Sequence, residues 1–232
     1  MVRIKVLYDN IARPPFIAGW GFSALVDLGK RRILFDSGGD RAVLAHNVEA
    51  AGVDLSGVTD IFISHPHCDH VGGLSYVLER TSSPRVWAPA GMEDYLRARL
   101  GPGGKLHPVT DPVSLGEGIW STGVMGRGTP EQGLVVATPR GAVLVTGCAH
   151  PGVDELARRA VELSGGKLRL VMGGFHLLGA SPGRIREVVE GLLATTTAVA
   201  PGHCTGEEAM QALAEAFPDC QFLEVGKEIE LP

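Results

Sequence analysis

The sequence is short of lysine, cysteine, aromatic residues and long apolar runs. Only five of its 21 basic residues are lysines, and the net charge is −5, whereas a surface that binds nucleic acid is normally basic. No apolar run approaches the roughly 20 residues that would span a bilayer. Three of the four cysteines adjoin or lie near histidines, which favours a reducing compartment over a disulfide framework. We therefore expect neither a nucleic-acid partner nor a membrane partner.

The rest of the composition is that of a globular protein. Hydrophobic residues make up 44% and charged residues 20% of the 232 residues, enough to bury a substantial core. The N-terminus alternates in the manner of a first strand, not of a signal peptide. No linker separates the two halves, so we predict a single domain over residues 1–232.

The most distinctive stretch is His65–His70, with the sequence HPHCDH. It follows the apolar segment Asp60–Ser64, which is typical of a buried strand, and a proline ends that strand near His65. His65 and His67 are two residues apart in extended chain, so their imidazoles fall on one side. This geometry suits one ion held by His65 and His67, and a second ion held by Asp69 and His70, with zinc as the expected metal. The alternative is a histidine-rich loop that binds metal only adventitiously.

This motif, together with Phe35–Gly38 (FDSG) upstream, resembles the metallo-beta-lactamase superfamily. Gly147–His150 (GCAH), Gly173–His176 (GGFH) and Pro201–Gly206 (PGHCTG) resemble a branch of small stand-alone metal-dependent hydrolases. That branch includes an archaeal pterin-pathway synthase. The resemblance runs from about Val2 to Val225 and implies an α/β fold of the αββα sandwich type. It also implies that Asp36 supports the metal-ligand loop, the alternative being that Asp36 merely caps a helix over Arg41–Ala51.

Further ligands are expected from the second half of the chain. His150 and His203 each follow a strand, and we assign His150 to the first ion and His203 to the second. Where the superfamily usually has a bridging aspartate, this chain has Cys148, which is either a soft thiolate ligand or a small buried residue. The loss of that carboxylate leaves open whether two ions bind, and whether they are zinc, manganese or iron. For His176 we predict a role in contacting substrate or transferring protons, with packing as the alternative.

Several further predictions concern local structure. A helix is expected from Val71 to Glu79, a capping box at Thr205–Glu208, and a strand at Cys220–Leu223. The loop Gly123–Gly133 is interpreted as solvated, the alternative being that its Arg127 and Glu131 contact substrate. Gly101–Gly104 should interrupt the chain. Cys68 and Cys204 are expected to be buried and inert, and cysteines beside candidate ligands favour a reducing compartment, the cytoplasm.

These features predict a metal-dependent hydrolase that uses a metal-bound hydroxide, with Asp69 orienting the nucleophile. A phosphodiester or other ester-like small molecule is the expected substrate. Three alternatives remain. One is a transferase like the pterin-pathway synthase, and another is a non-catalytic metal-stabilised module. The third is a di-iron reductase, which the resemblance disfavours because that class has glutamate at the position of His67 and carries a flavin domain.

Overall fold

The computed structural model describes residues 1–100 and 104–232, which form two compact units. Unit 1 comprises Met1–Thr110 and Glu224–Pro232, and unit 2 comprises Asp111–Leu223. The interruption predicted at Gly101–Gly104 lies outside the described residues except for Gly104. The assignment of residues 1–232 to a single domain stays a prediction.

Unit 1 contains a seven-stranded mixed sheet in the order β13-β1-β2-β3-β4-β5-β6. β13, β1, β2 and β3 pair antiparallel, whereas β3 to β6 pair parallel. The strands are β1 (Val2–Tyr8), β2 (Ser23–Asp27), β3 (Arg32–Phe35), β4 (Asp60–Phe62), β5 (Arg85–Pro89), β6 (Lys105–Val109) and β13 (Glu228–Leu231), and the helices are α1 (Arg41–Ala50), a 3₁₀ turn (Leu55–Gly57), α2 (Cys68–Val71), α3 (Leu74–Leu78) and α4 (Glu93–Leu100). Its core forms where apolar side chains of α1, α3 and α4, such as Leu44, Val77 and Leu96, pack against strand residues such as Leu34 and Ile61.

Unit 2 contains a six-stranded mixed sheet in the order β12-β11-β10-β9-β8-β7. β7 to β10 pair antiparallel and β10 to β12 pair parallel. The strands are β7 (Val113–Gly116), β8 (Ile119–Ser121), β9 (Leu134–Val136), β10 (Val143–Thr146), β11 (Leu170–Gly174) and β12 (Val199–Gly202), and the helices are α5 (Val153–Ser164), α6 (Pro182–Thr195) and α7 (Glu207–Ala216). On α5, Val153, Leu156, Ala157 and Ala160 recur at helical spacing and are fully buried, so this face packs into the core of the unit.

The α/β class is confirmed, but three local predictions are wrong. The expected helix Val71–Glu79 is wrong at its start: Val71 ends α2, and the helix α3 begins at Leu74 and has Glu79 as its C-cap. Thr205 does not cap α7, since its hydroxyl donates to the Gly202 carbonyl (2.7 Å) and accepts from the Phe175 amide (3.2 Å).

The third wrong prediction is the strand at Cys220–Leu223, where only an isolated bridge between Val199 and Cys220 forms. Within residues 1–100 and 104–232, no helix has both the length and the apolar character needed to cross a membrane.

Candidate functional site

In unit 1 the candidate residues follow the carboxyl ends of two neighbouring parallel strands. Asp36 directly follows β3, and Ser64 and His65 follow β4. Because parallel strands present their carboxyl ends at the same edge of a sheet, these residues come together there. Asp36 is not a helix cap, since the side chain of Asp40 accepts hydrogen bonds from the first amides of α1. The capping alternative for Asp36 is therefore wrong.

The fully buried carboxylate of Asp36 organises two histidines. It accepts hydrogen bonds from the Ser64 amide (2.7 Å), the Ser64 hydroxyl (2.6 Å) and His70 Nδ1 (2.7 Å). The Ser64 hydroxyl has one proton, and it donates that proton to Asp36. In the hydrogen bond between Ser64 Oγ and His65 Nδ1 (2.8 Å), the imidazole N–H is therefore the donor. Both rings therefore carry their proton on Nδ1, which leaves Nε2 of each as the atom able to bind a metal ion.

The remaining ligands predicted in unit 1 lie beside these two rings. The His65 ring centroid is 4.2 Å from that of His70 and 4.7 Å from that of His67. Asp69 Oδ2 lies 3.6 Å from His70 Nε2. His65 and His70 are buried, Asp69 is half-buried and His67 is exposed. The Gly21 backbone packs so closely against this segment that a Cβ at residue 21 would lie 2.2 Å from the Asp69 carbonyl oxygen.

In unit 2 the candidate residues follow three adjacent parallel strands. Cys148 and His150 follow β10, His176 follows β11, and His203 follows β12. His176 and His203 have positive φ angles of 50° and 46°, a left-handed conformation that non-glycine residues rarely adopt. Such a bend at the end of a strand turns the side chain away from the direction that the sheet would impose. Strained residues of this kind cluster at functional sites.

The loop that carries Cys148 and His150 is held by Glu131, which is fully buried. Glu131 Oε1 accepts hydrogen bonds from the amides of Gly147 (3.1 Å), Cys148 (2.9 Å) and Ala149 (2.8 Å). Its other oxygen accepts from the His150 amide (2.9 Å) and His150 Nδ1 (2.7 Å). The interpretation of residues 123–133 as a solvated loop is therefore wrong at Glu131.

Glu131 gives His150 the same tautomer as His65 and His70, with Nε2 available as a ligand. The His150 and His176 rings lie 4.4 Å apart, and Cys148 Sγ lies 3.3 Å from His203 Nε2. One ligand atom each from Cys148, His150 and His176 fall within 4.8 Å of one another. Cys148 is thus both buried and in contact with a candidate ligand, and its ligand role stays a prediction.

The two other cysteines near the candidate ligands differ from each other. Cys68 is exposed, so the expectation that it is buried is wrong. Cys204 is buried, and hydrogen bonds from the side chains of Cys148 and His176 lower the pKa of its thiol, against the opposing effect of burial. The same contact with Cys204 raises the pKa of His176.

Each unit therefore presents donors that fit a divalent metal ion. Unit 1 offers imidazole nitrogens and a carboxylate, and unit 2 offers imidazole nitrogens and a thiol, all of which are ligands that zinc accepts. In both units a buried carboxylate accepts a hydrogen bond from the Nδ1 of a candidate ligand, the arrangement that fixes histidine orientation around bound metals. Such a donor set is able to hold a divalent ion.

Comparison with known proteins identifies the group to which this chain belongs. The family model of the Metallo-beta-lactamase superfamily matches residues 20–203. Among solved structures, the chain is similar to Tm1679, a metal-dependent hydrolase of the beta-lactamase superfamily, with a TM-score of 0.83 and 29% identity, covering 100% of this chain and 99% of that chain. This similarity confirms the predicted type of fold.

Two proteins of Methanocaldococcus jannaschii are also similar. The uncharacterized protein MJ0448 is 27% identical, covering 91% of this chain and 94% of its own length. The 7,8-dihydropterin-6-methyl-4-(beta-D-ribofuranosyl)-aminobenzene-5'-phosphate synthase is 25% identical, covering 99% of this chain and 96% of its own length. The chain belongs to the metallo-beta-lactamase superfamily.

Proposed function

We propose that the protein is a metal-dependent hydrolase that cleaves a phosphodiester or another ester-like bond in a small molecule. The observation that carries this proposal is the hydrogen-bond network of Asp36 and Ser64, which presents Nε2 of both His65 and His70. A stable core does not need two histidines held in defined tautomers, so we interpret this buried network as a support for metal ligands. Membership of the superfamily and the similarity to Tm1679 support the same reaction class.

We assign the ligands as the sequence predicts. His65 and His67 would hold a first zinc ion with His150, and Asp69 and His70 would hold a second with His203. Cys148 would occupy the place of the bridging carboxylate, and manganese or iron remain alternatives to zinc. The assignment of His150 is supported by its contact with Glu131, which leaves Nε2 as the ligand atom.

When bound, zinc lowers the pKa of a bound water to about 7, so that a nucleophile is available at neutral pH. Asp69 would accept a hydrogen bond from that nucleophile and orient it toward the scissile bond. His176, whose exposed ring lies against His150, would deliver a proton to the leaving oxygen. A small molecule is the proposed partner, since the net charge of −5 does not favour a polyanion.

The test is hydrolysis by zinc-loaded protein of an activated phosphodiester, bis(p-nitrophenyl) phosphate, and of an activated carboxyl ester, p-nitrophenyl acetate. His70→Ala and Asp69→Asn should each lower kcat by about 100-fold or more, because both remove a ligand or its support. His46→Ala is the matched control, since His46 contacts the Pro15 carbonyl and no candidate ligand. Protein that retains two zinc ions yet cleaves neither substrate would contradict the proposal.

A second candidate function is a transferase. It is favoured by the similarity to the M. jannaschii synthase, which extends over nearly the full length of both chains. Here the same residues would bind the metal, and the reaction would join a dihydropterin that carries a leaving group to a ribosyl-aminobenzene phosphate, with departure of that group and of a proton from the second substrate. Incubation with these two compounds, followed by mass spectrometry, distinguishes the functions: a coupled product favours the transferase, and its absence alongside ester cleavage favours the hydrolase.

A further inference from the structure

Glu131 stands out because five N–H groups of one loop converge on a single buried carboxylate. Four of them are the consecutive amides of Gly147, Cys148, Ala149 and His150, and the fifth is His150 Nδ1. Glu131 itself lies at least 16 residues earlier in the chain, and it is 0% exposed. The loop and the carboxylate are therefore brought together by the fold and not by local sequence.

Consecutive amides that point to one place form a concave site for an anion. Ala149 lies within this turn and has a left-handed conformation, with φ 64°. The four amide donors offset the free-energy cost of burying a charged carboxylate, because a hydrogen bond to a charged group is stronger than one between neutral groups. In this protein the anion is part of the chain itself.

We propose that Glu131 is the positioning residue of this loop: its carboxylate assembles the Gly147–His150 conformation and holds His150 with Nδ1 protonated, so that Nε2 faces the metal. The metal-ligand role of His150 rests on the proposed function, whereas the assembly of the loop does not. Glutamate supplies two oxygens, and each has its own task, since Oε1 gathers three amides and Oε2 fixes the imidazole.

Asp154 provides a matched control within the same unit. It is nearly as buried as Glu131, at 6% exposure, but its oxygens pair with Arg184 (2.7 Å) and Arg158 (3.4 Å). Its removal should destabilise the packing of α5 against α6 without altering the ligand loop. A purely structural role for Glu131 would make Glu131 and Asp154 variants behave alike.

The experiment compares Glu131→Ala, Glu131→Gln and Asp154→Asn by zinc affinity, by thermal unfolding of the metal-free proteins, and by nitrogen-15 NMR of the His150 tautomer. Glu131→Ala should bind zinc about 10- to 100-fold more weakly, as loss of a partner of a metal-bound histidine does. Formate, which can fill the vacated space and accept the same amides, should restore affinity and raise the melting temperature of metal-free Glu131→Ala, with little effect on the wild type. Glu131→Gln should not respond to formate, because its amide occupies the space and presents a donor. Asp154→Asn should melt earlier but bind zinc within about twofold of the wild type.

Three results would overturn the proposal. The first is a folded Glu131→Gln whose His150 keeps the proton on Nδ1 and whose zinc affinity is that of the wild type. The second is an Asp154→Asn that loses zinc affinity as strongly as the Glu131 variants. The third is a Glu131→Ala that folds and yet gains neither stability nor affinity from formate; if Glu131→Ala does not fold, the tautomer in Glu131→Gln decides. None of these readouts uses hydrolysis, so an inactive wild type would refute the proposed function and leave the role of Glu131 testable.

Discussion

Asp36→Asn is the substitution that tests the unit 1 network with the least disturbance. Residue 36 has φ 52°, a left-handed conformation that asparagine tolerates better than most non-glycine residues. The substitution should therefore leave the backbone conformation unchanged. The side-chain volume is almost unchanged. What changes is one oxygen: Ser64 Oγ and His70 Nδ1 both donate to Asp36 Oδ2, which an amide nitrogen would replace.

The expected cost follows from those two contacts. Each is a charge-assisted hydrogen bond worth about 1.5 kcal/mol or more, so the loss should be about 3 kcal/mol in the free energy of unfolding. For a protein of this size that lowers the melting temperature by about 6–12 °C. The amide nitrogen also forces His70 toward the tautomer protonated on Nε2, which should weaken zinc binding by about 10- to 100-fold.

The assay is urea unfolding of metal-free wild-type and variant protein by circular dichroism, followed by competitive zinc titration. Asp27→Asn is the control, because the ion pairs of Asp27 are long and partly exposed (3.6 and 3.8 Å). The exposed hydrogen bond that Asp27 Oδ1 accepts from the Gly29 amide (2.8 Å) can be kept by the asparagine oxygen, so stability should change by less than about 1 kcal/mol. If Asp36→Asn unfolds at the urea concentration of the wild type and binds zinc with unchanged affinity, the network does not hold His70 and the reasoning fails.

Three further predictions concern acid stability, helix capping and metal removal. Burial raises the pKa of Asp60, but hydrogen bonds from Arg31 and neighbouring groups outweigh it and lower the pKa overall. The stabilisation from Asp60 is therefore complete above its unfolded pKa of about 3.9 and is lost as the pH falls through the lower folded value, so Asp60→Asn should flatten the melting-temperature profile below about pH 4. If the melting temperature of Asp60→Asn still fell steeply below about pH 4, this prediction would be contradicted. Ser181→Ala should cost about 1 kcal/mol in thermal unfolding, because the Ser181 hydroxyl accepts from the Arg184 amide. Glu208→Ala should stay within about 0.5 kcal/mol, and a larger loss would revive the capping box. Chelation with EDTA should lower the melting temperature of zinc-loaded protein, since a ligand present at 1,000 times its Kd stabilises by about 4 kcal/mol; an unchanged melting temperature would exclude bound structural or catalytic metal.

Sequence patterns of a few residues predicted the strands and helix caps whose partners lie nearby in the chain. Ser181 caps a helix with proline at its first position, as the sequence indicates. β4 lies in the predicted apolar segment but ends at Phe62, three residues before His65, so Pro66 does not set its end. The capping box at Thr205 failed because a tertiary partner competes for its hydroxyl. The Thr205 hydroxyl accepts from the amide of Phe175, which lies 30 residues earlier in the chain, and a local pattern does not record that partner.

Glu131 was missed for the same reason in a stronger form. Its neighbours Gly128, Thr129 and Pro130 are typical of a solvated loop, and its partners lie 16 to 19 residues further along the chain. One signal was present: the superfamily resemblance places a ligand loop at Gly147–His150 that lacks its usual carboxylate. That loop needs a partner for its amides, and the fold supplies Glu131.

Left-handed backbone conformation at four site residues constrains how the protein can evolve. These residues are Asp36, Ala149, His176 and His203. Each bend costs about 1 kcal/mol or more that the surrounding hydrogen bonds must hold in place. Three of the four residues, Asp36, Ala149 and His203, are buried. The amides of Asp36 and Ala149 donate to the Phe62 carbonyl (2.9 Å) and to Glu131 (2.8 Å), so tertiary hydrogen bonds hold these bends in place. Glycine at Asp36, His176 or His203 would relax the main chain and remove a side chain to which a role is assigned above, whereas glycine at Ala149 would remove only a methyl group. A lineage that abandoned catalysis would be recognisable by glycines at the first three of these positions.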